Sequence, residues 1–161
     1  MVVGTRVVRE AGHLVNGDED LRGLIALLKL ASLINRPMLD KVAGPNAMSL
    51  NELRVLMSLA GEGAAAAHDL AELMGMHPMA VSRAVSNLRD ENRVHEVRDP
   101  DNRRRKVLSL TERGWEAYRA TLPKAEEVAK CLFGALNATE RRSARNLLGR
   151  LVDQLEDWPR S

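Results

Sequence analysis

The sequence predicts a mainly α-helical chain carrying one small β-hairpin, and three observations lead there. Apolar residues recur at helical spacing over most of the 161 positions. Capping residues divide those stretches into separate helices. One segment, DPDNRRRKVLSLTERG at 99–114, breaks the helical period. Its acidic, turn-prone opening (Asp99, Pro100, Asp101, Asn102) leads to four consecutive cations, Arg103, Arg104, Arg105 and Lys106, and then to an alternating strand, Val107, Leu108, Ser109 and Leu110.

The elements follow in order. Residues 1–18, punctuated by Gly4, Gly12 and Gly17, read as a loose or partner-docked arm. From about Asp20 to Val42, apolar residues recur at Leu21, Leu24, Ile25 and Leu28 and again at Leu27, Leu30, Ala31, Ile34 and Met38. That broad face predicts a helix buried on more than one side. Pro37 should bend or divide it, and Gly44-Pro45 end it. Ser49-Leu50-Asn51-Glu52 is a capping box that opens the next helix. This helix carries Leu53, Leu56, Met57 and Leu59 inward and stops at Gly61. Ala64 to Ala67 lead into a short helix through Leu70, Ala71 and Leu73, and Gly75 allows a tight turn. Pro78 suits the first position of a further helix, which runs to about Glu91 with Val81, Val85 and Leu88 on its inner side. Asn92 can take the left-handed conformation that ends it. Thr111 caps a long helix interrupted or bent at Pro123. Thr139 caps the last, which shows Leu147, Leu148, Leu151 and Leu155 on one stripe.

The stretch from Asp69 to Val94 has what a helix-turn-helix needs: small Ala71 at the close approach, Gly75 in the turn, and three apolar anchors under the second helix. That second helix projects His77, Pro78, Met79, Ser82, Arg83, Ser86 and Asn87 outward. Arg83 has the geometry to read guanine through two hydrogen bonds, and Ser82 and Ser86 reach bases or phosphates. The hairpin that follows ends in Arg103, Arg104, Arg105 and Lys106, cations suited to a nucleic-acid backbone. The whole is a winged helix-turn-helix with double-stranded DNA as its expected partner. Terminal helices with wide apolar faces need a cover, which a two-fold homodimer supplies. The expected division is an arm and dimerisation helix over 1–45, the DNA-binding unit over 46–112, and dimerisation helices over 113–161.

The totals restrict the alternatives. The net charge of +2 is too small to indicate nucleic acid alone, but Arg93 to Lys106 holds six cations against three acids. Such a run standing by itself would be a solvated hairpin edge; its position after the helix-turn-helix gives it a further use. With Trp115, Trp158, Tyr118 and Phe133 as the full aromatic set, stacking of single strands is disfavoured. One cysteine, Cys131, excludes an internal disulfide framework and fits a reducing compartment. The expected location is cytoplasmic, with no signal peptide and no membrane span. No nucleophile–base grouping, phosphate loop or metal-ligand spacing points to an enzyme or a cofactor. His13, His68, His77 and His95 are scattered, so no metal site is expected. Leu132 and Phe133 beside Cys131 suggest a buried position at the dimer helices, structural rather than redox-sensing.

Taken together, the run VSRAVSNL at 81–88 and the hairpin DPDNRRRKVLSLTERG make the chain similar to the multiple-antibiotic-resistance regulator (MarR) family. The motif match spans about 49–114, and the helix order matches throughout. The resemblance implies a homodimeric transcriptional regulator, in many members a repressor released from a palindromic operator by a small, often aromatic or anionic, ligand. The family's Asp-x-Arg-x-Arg wing pattern falls on Asp101, Arg103 and Arg105. It implies Arg103 at the tip in a minor groove, Asp101 and Arg105 bracing it, and Arg104 or Lys106 on phosphate. The chain departs from the pattern at three places: alanines precede the first helix of the motif where Ser or Thr is common, Asn92-Arg93 replaces Gly-Leu, and Val97 replaces an arginine. For the ligand, Ser32, Asn35, Arg36 and Arg54 are the candidate polar groups on the first two helices. A wing that binds DNA without sequence choice, or binds a protein, is the alternative reading.

Overall fold

The structure, a computed structural model, describes residues 19–99, 102 and 105–156. The chain divides into two compact units that meet in sequence between Pro37 and Met38. The first contains helix α1, Glu19–Pro37, with Glu19 and Asp20 in its first turn and Arg36 in its last, as the helix dipole favours. The sequence suggests a helix buried on several sides, yet α1 buries no residue within the single chain. Leu24, Ile25, Leu28 and Leu33 all lie exposed.

The second unit begins with a π-helical turn, Met38–Ala43, and a 3₁₀ turn, Gly44–Asn46. Pro37 therefore divides rather than bends the helix. It has no N–H for the Leu33 carbonyl, and the ladder widens just beyond it. Helix α2, Leu50–Glu62, opens with the Ser49/Glu52 capping box, both legs present at 3.2 and 2.8 Å. It ends at Gly63, not Gly61, because Gly63 is the residue at φ +88°. Its inward set is Leu53, Val55, Leu56 and Leu59, while Met57, expected inside, is exposed.

Helix α3 is Ala67–Leu73 and helix α4 is Pro78–Asp90. Leu70 and Ala71 of α3 are buried, but Leu73 points outward. Gly75 takes φ +57° in the turn, and Asn92 takes φ +56° after α4, as both sequences require. Strands β1, Val94–Arg98, and β2, Lys106–Leu110, pair antiparallel with Val94 opposite Leu110 and Arg98 opposite Lys106. Leu108 also exchanges backbone hydrogen bonds with Ala65, at 2.8 and 3.1 Å, so the base of the hairpin is fixed to the loop before α3. The core lies where α2, α3 and α4 meet the hairpin, around Leu53, Leu56, Leu70, Val81, Leu88 and Val107.

Helix α5, Glu112–Leu132, starts at Thr111, whose hydroxyl accepts from the Gly114 N–H at 3.0 Å. Pro123 does not interrupt it. Thr121, fully buried, donates its hydroxyl to the Tyr118 carbonyl at 2.6 Å one turn before that proline. Helix α6 is Ala138–Glu156. Its cap is Asn137 rather than Thr139: the Asn137 side chain accepts from the N–H groups of Thr139 and Glu140, and Glu140 returns a bond to the Asn137 N–H at 2.7 Å. Cys131, expected in a buried position at the dimer helices, is exposed in the single chain near the end of α5. None of the described helices is long and apolar enough to cross a membrane.

Candidate nucleic-acid interface

Three local devices position α4. His77 caps it, accepting the Met79 N–H on Nδ1 at 3.2 Å, and Pro78 supplies the preset first turn. Val81, Ala84, Val85 and Leu88 bury the inner stripe. At its far end the Asn92 turn returns the chain so that Arg93 donates from its backbone to the Leu88 carbonyl at 2.7 Å. The consequence is an outer face on which His77, Pro78, Met79, Ser82, Arg83, Ser86 and Asn87 are all exposed.

These residues are not equivalent. The Asn87 amide donates to Glu52 at 2.6 Å, and Glu52 is the buried acid that also caps α2. Asn87 thereby ties the two helices together. His77 has one nitrogen engaged in the cap. Ser82, Arg83 and Ser86 lie on the open face beyond them. Arg89, which the sequence reading left out, continues that face at the spacing 82, 86, 89, which is the signal that identifies it.

The hairpin stands beside this face. A groove of about 330 Å³ between them is lined by Ser82, Ser86 and Arg89 of α4 and by Glu96, Lys106 and Leu108 of the strands. Glu96 is its organising charge, pairing with Arg89 at 2.9 Å and Lys106 at 3.2 Å. The Lys106 hydrogen bond, with the Arg89 charge behind it, holds the Glu96 carboxyl below the usual glutamate range. Lys106, expected on phosphate, has Glu96 as its carboxylate partner in this structure.

Among the described residues, two acids hold Arg105. Its guanidinium pairs with Asp69 of α3 and reaches Asp99 at 3.7 Å. Asp69 also accepts the Ala66 N–H at 3.3 Å, completing the one capping leg possible where an alanine replaces Ser or Thr. One carboxylate therefore fixes both the start of α3 and the wing. The wing loop closes through Asp99 N–H to the Arg105 carbonyl at 3.0 Å and Arg105 N–H to the Asn102 carbonyl at 2.8 Å. Asp101, Arg103 and Arg104 lie outside the described residues.

The departure at Arg93 also has a structural use. Its Nε pairs with Glu91 at 2.9 Å and its Nη2 donates to the Asn46 carbonyl at 3.2 Å, joining the end of α4 to the 3₁₀ turn. The ligand candidates divide between the units. Ser32, Asn35 and Arg36 are on α1, where the Ser32 hydroxyl donates to the Leu28 carbonyl at 2.9 Å. Arg54 is exposed on α2.

With the geometry described, comparison with known proteins gives a consistent result. Residues 48–106 match the MarR family model. An uncharacterised HTH-type transcriptional regulator of Mycobacterium bovis is 32% identical over 110 residues, covering 66% of this chain and 77% of that protein. The HTH-type transcriptional repressor NicR of Pseudomonas putida is 28% identical over 102 residues, covering 63% and 65%. Among solved structures, BpsR of Bordetella bronchiseptica, whose DNA binding is regulated by 6-hydroxynicotinic acid, superposes with a TM-score of 0.67. It shares 22% identity, over 83% of this chain and 98% of that one. At that identity it speaks for the fold alone.

Proposed function

The chain belongs to the MarR family of DNA-binding transcriptional regulators, and we propose that it acts as a homodimeric repressor of a palindromic operator, released by a small aromatic or anionic ligand. The observation that carries the reading is the exposed polar half of α4 set beside a wing that Asp69, Asp99 and Glu96 hold in place. In this reading Arg83 reads a base edge in the major groove, with Ser82 and Ser86 on bases or phosphates. Arg103 enters the minor groove, while Arg104 and Lys106 meet phosphate. Lys106 exchanges Glu96 for that phosphate.

The flanking segments 1–45 and 113–161 form the dimer. In support, α1 and α6 leave Leu28 60% and Leu155 69% exposed, on stripes no monomer has reason to keep. Two copies then present their α4 helices to half-sites about one helical turn apart. Release follows when a ligand favours a spacing of the two lobes that does not fit both grooves. Ser32, Asn35, Arg36 and Arg54 are the polar groups assigned to it.

Footprinting on DNA from upstream of the chain's own coding region tests this. A protected two-fold site, lost on adding an aromatic acid such as 6-hydroxynicotinate, is the expected result. Uniform coating of all DNA, or none, would favour a non-specific or protein-binding wing instead.

A further inference from the structure

The groove between α4 and the hairpin holds a residue that attraction to DNA does not account for, the acid at its centre. Among the described residues that line it, Glu96 is the one carboxylate, set against Arg89 of α4 and Lys106 of β2. Its two oxygens serve different elements. Oε1 takes the Arg89 guanidinium at 2.9 Å and Oε2 takes the Lys106 ammonium at 3.2 Å. The carboxylate thus bridges helix and strand with two anionic oxygens, as a phosphate bridges two cations.

Strand register explains the placement. Glu96 stands opposite Leu108 and Arg98 opposite Lys106, so Glu96 lies diagonal to Lys106 on one face of the hairpin. Arg98 and Lys106, directly opposite, are like charges that favour a neighbouring anion. The Lys106 hydrogen bond holds the Glu96 carboxyl below the usual glutamate range, which keeps it charged at neutral pH. Two other acids near this face have structural uses, since Asp69 caps α3 and Glu52 caps α2. The Glu96 oxygens face cations of the DNA-binding surface instead.

We propose that Glu96 limits the affinity of this protein for DNA: its carboxylate stands in for one backbone phosphate, and a duplex must displace it from Arg89 and Lys106. The inference rests on the regulator reading and adds to it a residue that opposes binding on every sequence. Exposed ion pairs are individually weak, so breaking two of them lowers the association constant by about two- to thirtyfold. The carboxylate also cancels one of the positive charges facing the phosphates, which lowers the salt slope by about one.

Equilibrium binding of the full chain and of Glu96→Gln tests this, on DNA from upstream of its own coding region and on the same DNA shuffled, at several salt concentrations. Glutamine keeps the side chain's size and its acceptor oxygen but removes the charge. The expected result is binding about three- to thirtyfold tighter on both DNAs, with a salt slope steeper by about one. Glu127→Gln removes the same charge about 20 Å along α5 from its Thr111 end, where Glu127 pairs with Lys124. It should change either affinity by less than about twofold. Thermal melting establishes that both variants fold. A folded Glu96→Gln chain that binds DNA more weakly than the parent, or no more tightly than Glu127→Gln, would overturn the proposal; a parent preference for the upstream DNA would still uphold the regulator reading. A parent that binds both DNAs equally, with Glu96→Gln tighter on both, would sink the regulator reading and leave Glu96 its role. No DNA binding by either chain would overturn both.

Discussion

Gly114→Ala sets two opposed effects against each other at the joint between α4 and α5. Helix propensity alone predicts that alanine gains about 1 kcal/mol over glycine. The structure predicts a loss. A Cβ at Gly114 falls 2.0 Å from the Arg93 carbonyl oxygen, 3.0 Å from its carbon and 3.3 Å from Leu110 Cβ. The obstacle is backbone, so relief requires the start of α5 to withdraw by more than an ångström. Withdrawal breaks the Thr111 N–H to Arg93 carbonyl bond of 3.1 Å and the Thr111 hydroxyl to Asn92 carbonyl bond of 2.6 Å. Overpacking costs about 1–3 kcal/mol and each of the two bonds about 0.5–1.5, so after the propensity gain of about 1 the net loss is about 1–5 kcal/mol. Urea denaturation at fixed protein concentration measures it. Gly149→Ala in α6 is the control, since nothing lies within 4 Å of its Cβ, and it should gain up to about 1 kcal/mol. A Gly114→Ala chain as stable as the parent would refute the packing argument at this joint.

Four further outcomes are expected. Asn87→Ala leaves buried Glu52 without its 2.6 Å donor and should cost about 1–3 kcal/mol in urea; native stability with weakened DNA binding would place Asn87 on DNA instead. Arg83→Ala should relax preference at one base-pair position by about 1–3 kcal/mol, whereas Lys106→Ala should weaken all sequences alike and lower the salt slope by about one. If the proposed dimer forms through these stripes, Leu28→Asp or Leu151→Asp should leave a monomer in sedimentation where the parent is a dimer; dimeric variants would move the interface off these stripes. Because Glu96 titrates below the usual glutamate range, its ion pairs persist through that range as pH falls and are lost only at the lower folded value. Lys106→Ala should therefore raise the Glu96 midpoint in a carbon-detected NMR titration; no movement would contradict the assigned cause.

The parts of this fold legible in the sequence are those set by neighbours along the chain. Ser49 with Glu52, Gly75, Pro78, Asn92 and Thr111 each act within four residues, and each marks the boundary expected of it. Local signals misled where two residues competed for one role. Gly63 rather than Gly61 ends α2, and Asn137 rather than Thr139 caps α6, because the winner in each case has the required backbone angle or the more complete set of bonds. The contacts that fix the candidate interface were not legible at all. Arg105 and Asp69 are 36 positions apart, and Asn87 and Glu52 are 35 apart. The packing of α2 against α4 brings the second pair together, the docking of the hairpin beside α3 brings the first, and no spacing rule anticipates either.

The central claim is that the open face of α4 reads a particular DNA sequence. The most direct test is equilibrium binding of the full chain to DNA from its own upstream region and to the same DNA shuffled, across several salt concentrations. The account predicts a preference of about a thousandfold or more, saturating at two chains per site, that Arg83→Ala reduces. Equal affinity for both DNAs, with the same steep salt dependence and no effect of Arg83→Ala on preference, would contradict it.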